Sequence, residues 1–94
     1  MKIANGFKLK ILQGKDGEGE KGVIVTVGEA SKKLNGIISL NEQATLIFKC
    51  IDQGLTKEQI VAKMLEIYDV DEKVLLNDVE KAINSFKEIG AIND

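Results

Sequence analysis

The apolar pattern of this chain changes its period once, at Asn41. Upstream lie short strand-like runs, alternating in FKLKIL and β-branched in GVIVTVG; downstream, apolar residues return every three or four positions. In GIISLNEQATLIF (36–48) a strand hands over to a helix with no loop, because Asn41 offers a side-chain oxygen to cap the first helical turn. Strands first and helices second, on a chain with room for one core, predict an α+β fold.

The first strand is FKLKIL (7–12), where Phe7, Leu9 and Ile11 alternate with Lys8 and Lys10. The glycine-rich GKDGEGEKG (14–22) suits a flexible hairpin connection, and the β-branched GVIVTVG (22–28) is the second strand. A polar turn in GEASKKLNG (28–36), closed by Asn35-Gly36, leads to the third strand, GIISL (36–40). Three short consecutive strands favour an antiparallel meander.

Helices are expected over about 42–53, 57–68 and 71–89. The first carries Ala44, Ile47, Phe48 and Ile51 on one stripe and stops at Gly54. Thr56 with Gln59 forms a capping-box pattern for the second, whose apolar positions include Ile60, Val61, Met64 and Leu65. Asp69 or Asp71 caps the third, with Leu75, Val79, Ala82, Ile83 and Phe86 inward and Gly90 beyond its end. The last two helices, joined through YDVD (68–71), make a helix-turn-helix with the sheet as a wing, and residues 1–94 read as one domain.

Several chemistries are excluded by what is missing. There is no histidine, so Ser-His and Cys-His catalysis and histidine zinc sites are out, and Cys50 stands alone inside an apolar helical pattern. The helical carboxylates lack the partners of an acid–base or metal site, so no enzyme, metal or cofactor is expected. No apolar run approaches the roughly 18 residues of a membrane span, and the lysine-studded MKIANGFKLKIL is not a signal peptide; a cytoplasmic protein is expected. GEGEKG (17–22) matches the spacing of a dinucleotide-binding loop. Asp16, Glu18 and Glu20 would repel phosphate there, and the segment leads into a strand.

Charge is unevenly spread. Residues 1–35 hold seven lysines against four acids, a balance of +3, and residues 36–94 hold six against eleven, a balance of −5. The third helix (71–89) sets Asp71, Glu72, Asp78, Glu80 and Glu88 against Lys73, Lys81 and Lys87, and the chain has no arginine for guanine contacts. A winged-helix DNA-binding regulator remains as an alternative, but this acidic helix opposes phosphate attraction, and no nucleic-acid partner is expected. Binding to a polypeptide is what remains. A small sheet has two edges, and either the first or the third strand is exposed depending on strand order. From pattern alone an exposed GIISL edge that accepts a partner strand is no better supported than a GIISL that is an inner strand or an edge covered by the third helix.

The ordered series VIVTVGEASKKLNGIISLNEQATLIF (23–48), GLTKEQIVAKML (54–65), EIYDVD (66–71), NDVEKAI (77–83) and FKEIGAI (86–92) resembles the PqqD-like family. Its members are peptide-modification chaperones, or precursor-peptide recognition elements. The resemblance covers most of the chain and fits least well at 14–22. It implies a winged helix-turn-helix of three strands and three helices, and a non-catalytic task. That task is to bind the leader of a ribosomally made precursor peptide and present it to a modifying enzyme, often a radical SAM maturase.

Carried onto this sequence, the resemblance implies a leader pairing with the third strand, Gly36, Ile37, Ile38, Ser39 and Leu40, in a groove shared with the third helix. On that strand Ile38 and Leu40 share one face, and Ile37 and Ser39 the other. Val79, Ile83 and Phe86 are expected in the core. The helix flank of Leu75, Asp78, Ala82 and Ser85 is expected to line the groove, small side chains leaving space and Asp78 meeting a cation or an N–H. The opposite flank, with Leu76, Glu80 and Lys87, is bulkier. Docking on an enzyme without a peptide groove is the second alternative, and homodimerisation through a sheet edge a further expectation.

Overall fold

A computed structural model describes residues 1–15, 18–33 and 36–93. In chain order the elements are β1 (Lys2–Ile3), β2 (Phe7–Lys15), β3 (Glu18–Thr26), α1 (Ala30–Lys33), β4 (Ile38–Leu40), α2 (Glu42–Asp52), α3 (Lys57–Ile67), α4 (Glu72–Glu88) and β5 (Ile92–Asn93). The expected third strand is β4 and the expected third helix is α4. The sheet is an antiparallel meander in the order β2-β3-β4, with the three long helices following it, so the α+β class holds.

One expectation is corrected at the glycine-rich stretch. Most of the expected hairpin connection at 14–22 belongs to the strands themselves: β2 runs on to Lys15 and β3 begins at Glu18, with register shifts between Ile11 and Gln13 and between Gln13 and Lys15, and residues 16–17 lie outside the described residues. Gly14 adopts φ +95° against Gly19 and Glu20, where a Cβ has no room, so glycine permits the irregular ladder to continue. Two small elements escaped the pattern reading, the one-turn α1 and a β1–β5 ribbon in which Ile3 faces Ile92. The Asn35 of the expected Asn-Gly turn lies outside the described residues.

Each long helix starts on a side-chain cap. Asn41 Oδ1 accepts the Ala44 N–H at 2.8 Å. Thr56 and Gln59 complete a reciprocal capping box. Asp71, rather than Asp69, accepts the Lys73 N–H at 2.8 Å.

The core lies between the inner face of the sheet and the helices. Ile24 and Leu40 from the strands meet Ile47, Phe48 and Ile51 of α2, Ile60 and Met64 of α3, and Leu75, Val79, Ile83 and Phe86 of α4. Phe48 and Phe86 pack edge to face with centroids 5.3 Å apart. Cys50 is buried in the same cluster; burial pushes its thiol up, against the smaller opposing pull of Lys63 and Lys49, as befits a small hydrophobe.

Candidate functional site

β4 begins this site because it ends the sheet. It pairs with β3 in the register Gly22–Leu40, Val23–Ser39 and Ile24–Ile38, and among the described residues no strand pairs with its other side. The direction of its backbone groups follows from the ladder beside it. Val27 donates its N–H to Gly6 O at 2.8 Å, one step beyond the Phe7–Thr26 pair. Hydrogen-bonded pairs alternate in an antiparallel ladder, so Lys8–Val25 and Lys10–Val23 are also of that type. Gly22 and Ile24 therefore turn their N–H and C=O groups toward β4. Ile38 spends its groups on β3 and Leu40 lies opposite Gly22 at the end of the ladder, while the groups of Ser39, and by the same alternation those of Ile37 just before β4, face away from the sheet.

The end of that ladder is locked to the following helix. Gly22 donates its N–H to Thr45 Oγ1 at 3.1 Å, and the Thr45 hydroxyl donates to Asn41 O at 2.8 Å. Thr45 is fully buried, and the strand passes into α2 with no slack. The opposite edge of the sheet is less inviting. β2 carries two register shifts and the charged Lys8 and Lys10, devices that discourage strand pairing.

Between β4 and α4 runs a groove of about 420 Å³. Ile38, Ser39, Leu40 and Asn41 form one side; Asp78, Lys81, Ala82, Ser85, Phe86 and Ile89 form the other; Gln43, Ala44 and Ile47 of α2 close one wall. The two sides come together because α4 turns Leu75, Val79, Ile83 and Phe86 into the core, which leaves positions 78, 82, 85 and 89 on the flank toward β4. Ala82 and Ser85 carry short side chains, so that flank cannot fill the space beside the strand.

Six of the nine residues expected from sequence line this groove: Ile38, Ser39, Leu40, Asp78, Ala82 and Ser85. Gly36 and Ile37 lie just before β4, outside the lining, and Ile37 is 67% exposed. Leu75 is corrected. It is fully buried, because it heads the inward stripe of α4 in step with Val79, and it has no surface to offer a ligand. Seven further lining residues, Asn41, Gln43, Ala44, Ile47, Lys81, Phe86 and Ile89, were not among the nine. Ile89 continues the 78-82-85 spacing and was findable; Gln43 and Ala44 belong to a different helix, and nothing local to them announces the groove.

Electrostatically the groove is mixed. Asp78 is half-buried and Lys81, one turn on, is exposed; among the described residues no hydrogen bond or ion pair engages the Asp78 carboxylate. Other charges of the helices are engaged elsewhere: Lys57 binds Glu80 at 3.1 Å, and Lys49 of α2 binds Glu20 of β3 at 2.7 Å. Among the described residues no three His, Cys, Asp or Glu side chains gather to hold a metal, and no helix is long and apolar enough to cross a membrane.

A family model described as coenzyme PQQ synthesis protein D (PqqD) matches residues 19–92. The solved structure of TbiB1 in complex with the TbiA(beta) leader peptide superposes on the whole of this chain and is itself wholly covered, with a TM-score of 0.71 at 18% identity. At that identity the likeness is one of fold. Among curated proteins no significant match is found.

Proposed function

This chain belongs to the PqqD family, and on that premise we propose that it is a non-catalytic chaperone that binds the leader segment of a ribosomally made precursor peptide. The observation that carries this reading is the outer edge of β4, unpaired among the described residues, standing directly over the β4–α4 groove. The leader adds as a fourth strand, hydrogen-bonded to Ile37 and Ser39, while its alternate side chains enter the groove. Backbone pairing supplies affinity and the groove supplies selection. The protein then presents the leader, in the cytoplasm, to a modifying enzyme, which we take to be a radical SAM maturase. The relative of like fold was solved with a leader peptide bound, which supports this assignment.

The test is titration of the isotope-labelled protein with the leader peptide encoded beside its gene. The amides of Ile37 and Ser39 and those around Asp78 to Ile89 are expected to shift. A leader that leaves all of them unmoved at high concentration sinks the reading, and binding only to the isolated enzyme would indicate a docking subunit instead.

A further inference from the structure

A guest strand bonded to Ile37 and Ser39 is held in register, and register decides where its side chains go. The two guest residues opposite Ile38 and Leu40 share their face and enter the groove, while the one between them, opposite Ser39, emerges on the other face of the sheet in the row of Lys10 and Val23. The groove meets the first two with Ile47, Phe86 and Ile89 and with the small Ala82 and Ser85. Two apolar side chains separated by one residue fit it.

The ends of the groove differ. Ala4 donates its N–H to Ala91 O at 2.8 Å and Phe7 to Ala4 O at 3.2 Å, so the end of α4 abuts the Phe7 end of the sheet. In register this is the Ile38 end of β4. Ile89 therefore lies near Ile38. Asp78, eleven residues earlier and about 16 Å back along the helix, lies toward Leu40 and Gln43. It is half-buried, whereas Lys81 on the rim is exposed and screened, so Asp78 exerts the stronger selection. The surrounding half of the chain, with its balance of −5, adds to the same sign.

Resting on the strand-addition reading, we infer that the peptide taken here carries an apolar-any-apolar triplet with a lysine or arginine two residues beyond the one facing Leu40, on the same face and held by Asp78. The partner class is thus a cationic, β-prone peptide segment, and Asp78 is its specificity determinant.

Two end-blocked synthetic peptides test this: Lys-Thr-Val-Thr-Val-Thr-Lys, and the same sequence with glutamate in place of both lysines. Titrated at low salt, the lysine peptide is expected to bind about tenfold more tightly. Asp78→Asn should erase the preference and Asp78→Lys reverse it. Glu58→Lys, which changes net charge equally but lies outside the groove, should leave it largely intact. If both peptides shift the Ile37 and Ser39 amides with equal affinity, or Glu58→Lys acts as strongly as Asp78→Lys, the charge selection is overturned and strand addition stands. If neither peptide moves those amides while the encoded leader does, the triplet is overturned. If the leader also fails to move them, strand addition itself falls.

Discussion

Thr45 Oγ1 stands 3.1 Å from the backbone nitrogen of Gly22 and accepts its hydrogen, joining the first turn of α2 to the central strand of the sheet. Gly22 has no alternative to glycine at this approach, since a Cβ there would sit 2.7 Å from Lys10 O and 3.0 Å from Leu9 Cδ1. Through this one bond the handover at Asn41 becomes rigid, and the outer edge of β4 is held in a fixed place.

Replacing Thr45 by valine keeps the shape and removes the hydroxyl. A buried N–H is then deprived of its acceptor, which should destabilise the fold by about 1–3 kcal/mol. Thr45→Ser should recover most of that. Urea denaturation of the three proteins checks both expectations.

Proline scanning of β4 should separate pairing from folding. The Ser39 N–H faces away from the sheet, so Ser39→Pro removes no bond to β3 and should abolish leader binding while the domain remains folded. Ile38→Pro removes a ladder donor facing Ile24 and should unfold the sheet or cost roughly 3 kcal/mol or more. Circular dichroism with peptide titration distinguishes the two. Retained leader affinity in a folded Ser39→Pro protein would contradict strand addition.

Leu75→Ala tests the one residue moved from the expected site to the core. Its side chain is fully buried, so truncation should cost about 2–5 kcal/mol in stability. Leader affinity of the fraction that remains folded should be unchanged, as calorimetry at low temperature can measure.

Tyr68 makes stability depend on alkaline pH. Burial first, then the nearby Glu42 carboxylate and the hydrogen bond it accepts from the Tyr68 hydroxyl at 3.3 Å, push the phenol above its ordinary value of 10.0. The unfolded chain therefore loses this proton before the folded one does. The resulting stabilisation is complete below the ordinary value and is lost as pH rises through the raised one. The stability difference between the native protein and Tyr68→Phe should narrow over that range in denaturant titrations, with all other groups shared by both.

Much of the site was legible because period and capping are local. Phe7, Leu9 and Ile11 announce a strand by alternation; Asn41, Thr56 and Asp71 announce helix starts by their side-chain oxygens; and the 78-82-85 spacing identifies a helix flank with small side chains. The glycine-rich stretch misled for an equally physical reason. Glycine is permissive, and permissiveness serves a bulged ladder as well as it serves a loop.

What the chain determines by itself is therefore the order of strands and helices and which residues each must bury, since both follow from side-chain periodicity within a few neighbours. Strand order, the outward aim of the Ile37 and Ser39 backbone groups, and the placing of Ile38, Ala82 and Ile89 around one groove were decided only by tertiary structure. They depend on contacts between segments some forty residues apart. Which edge stays free, and which flank faces it, is settled by how the Leu75–Phe86 stripe packs against the sheet, and no local pattern carries that information.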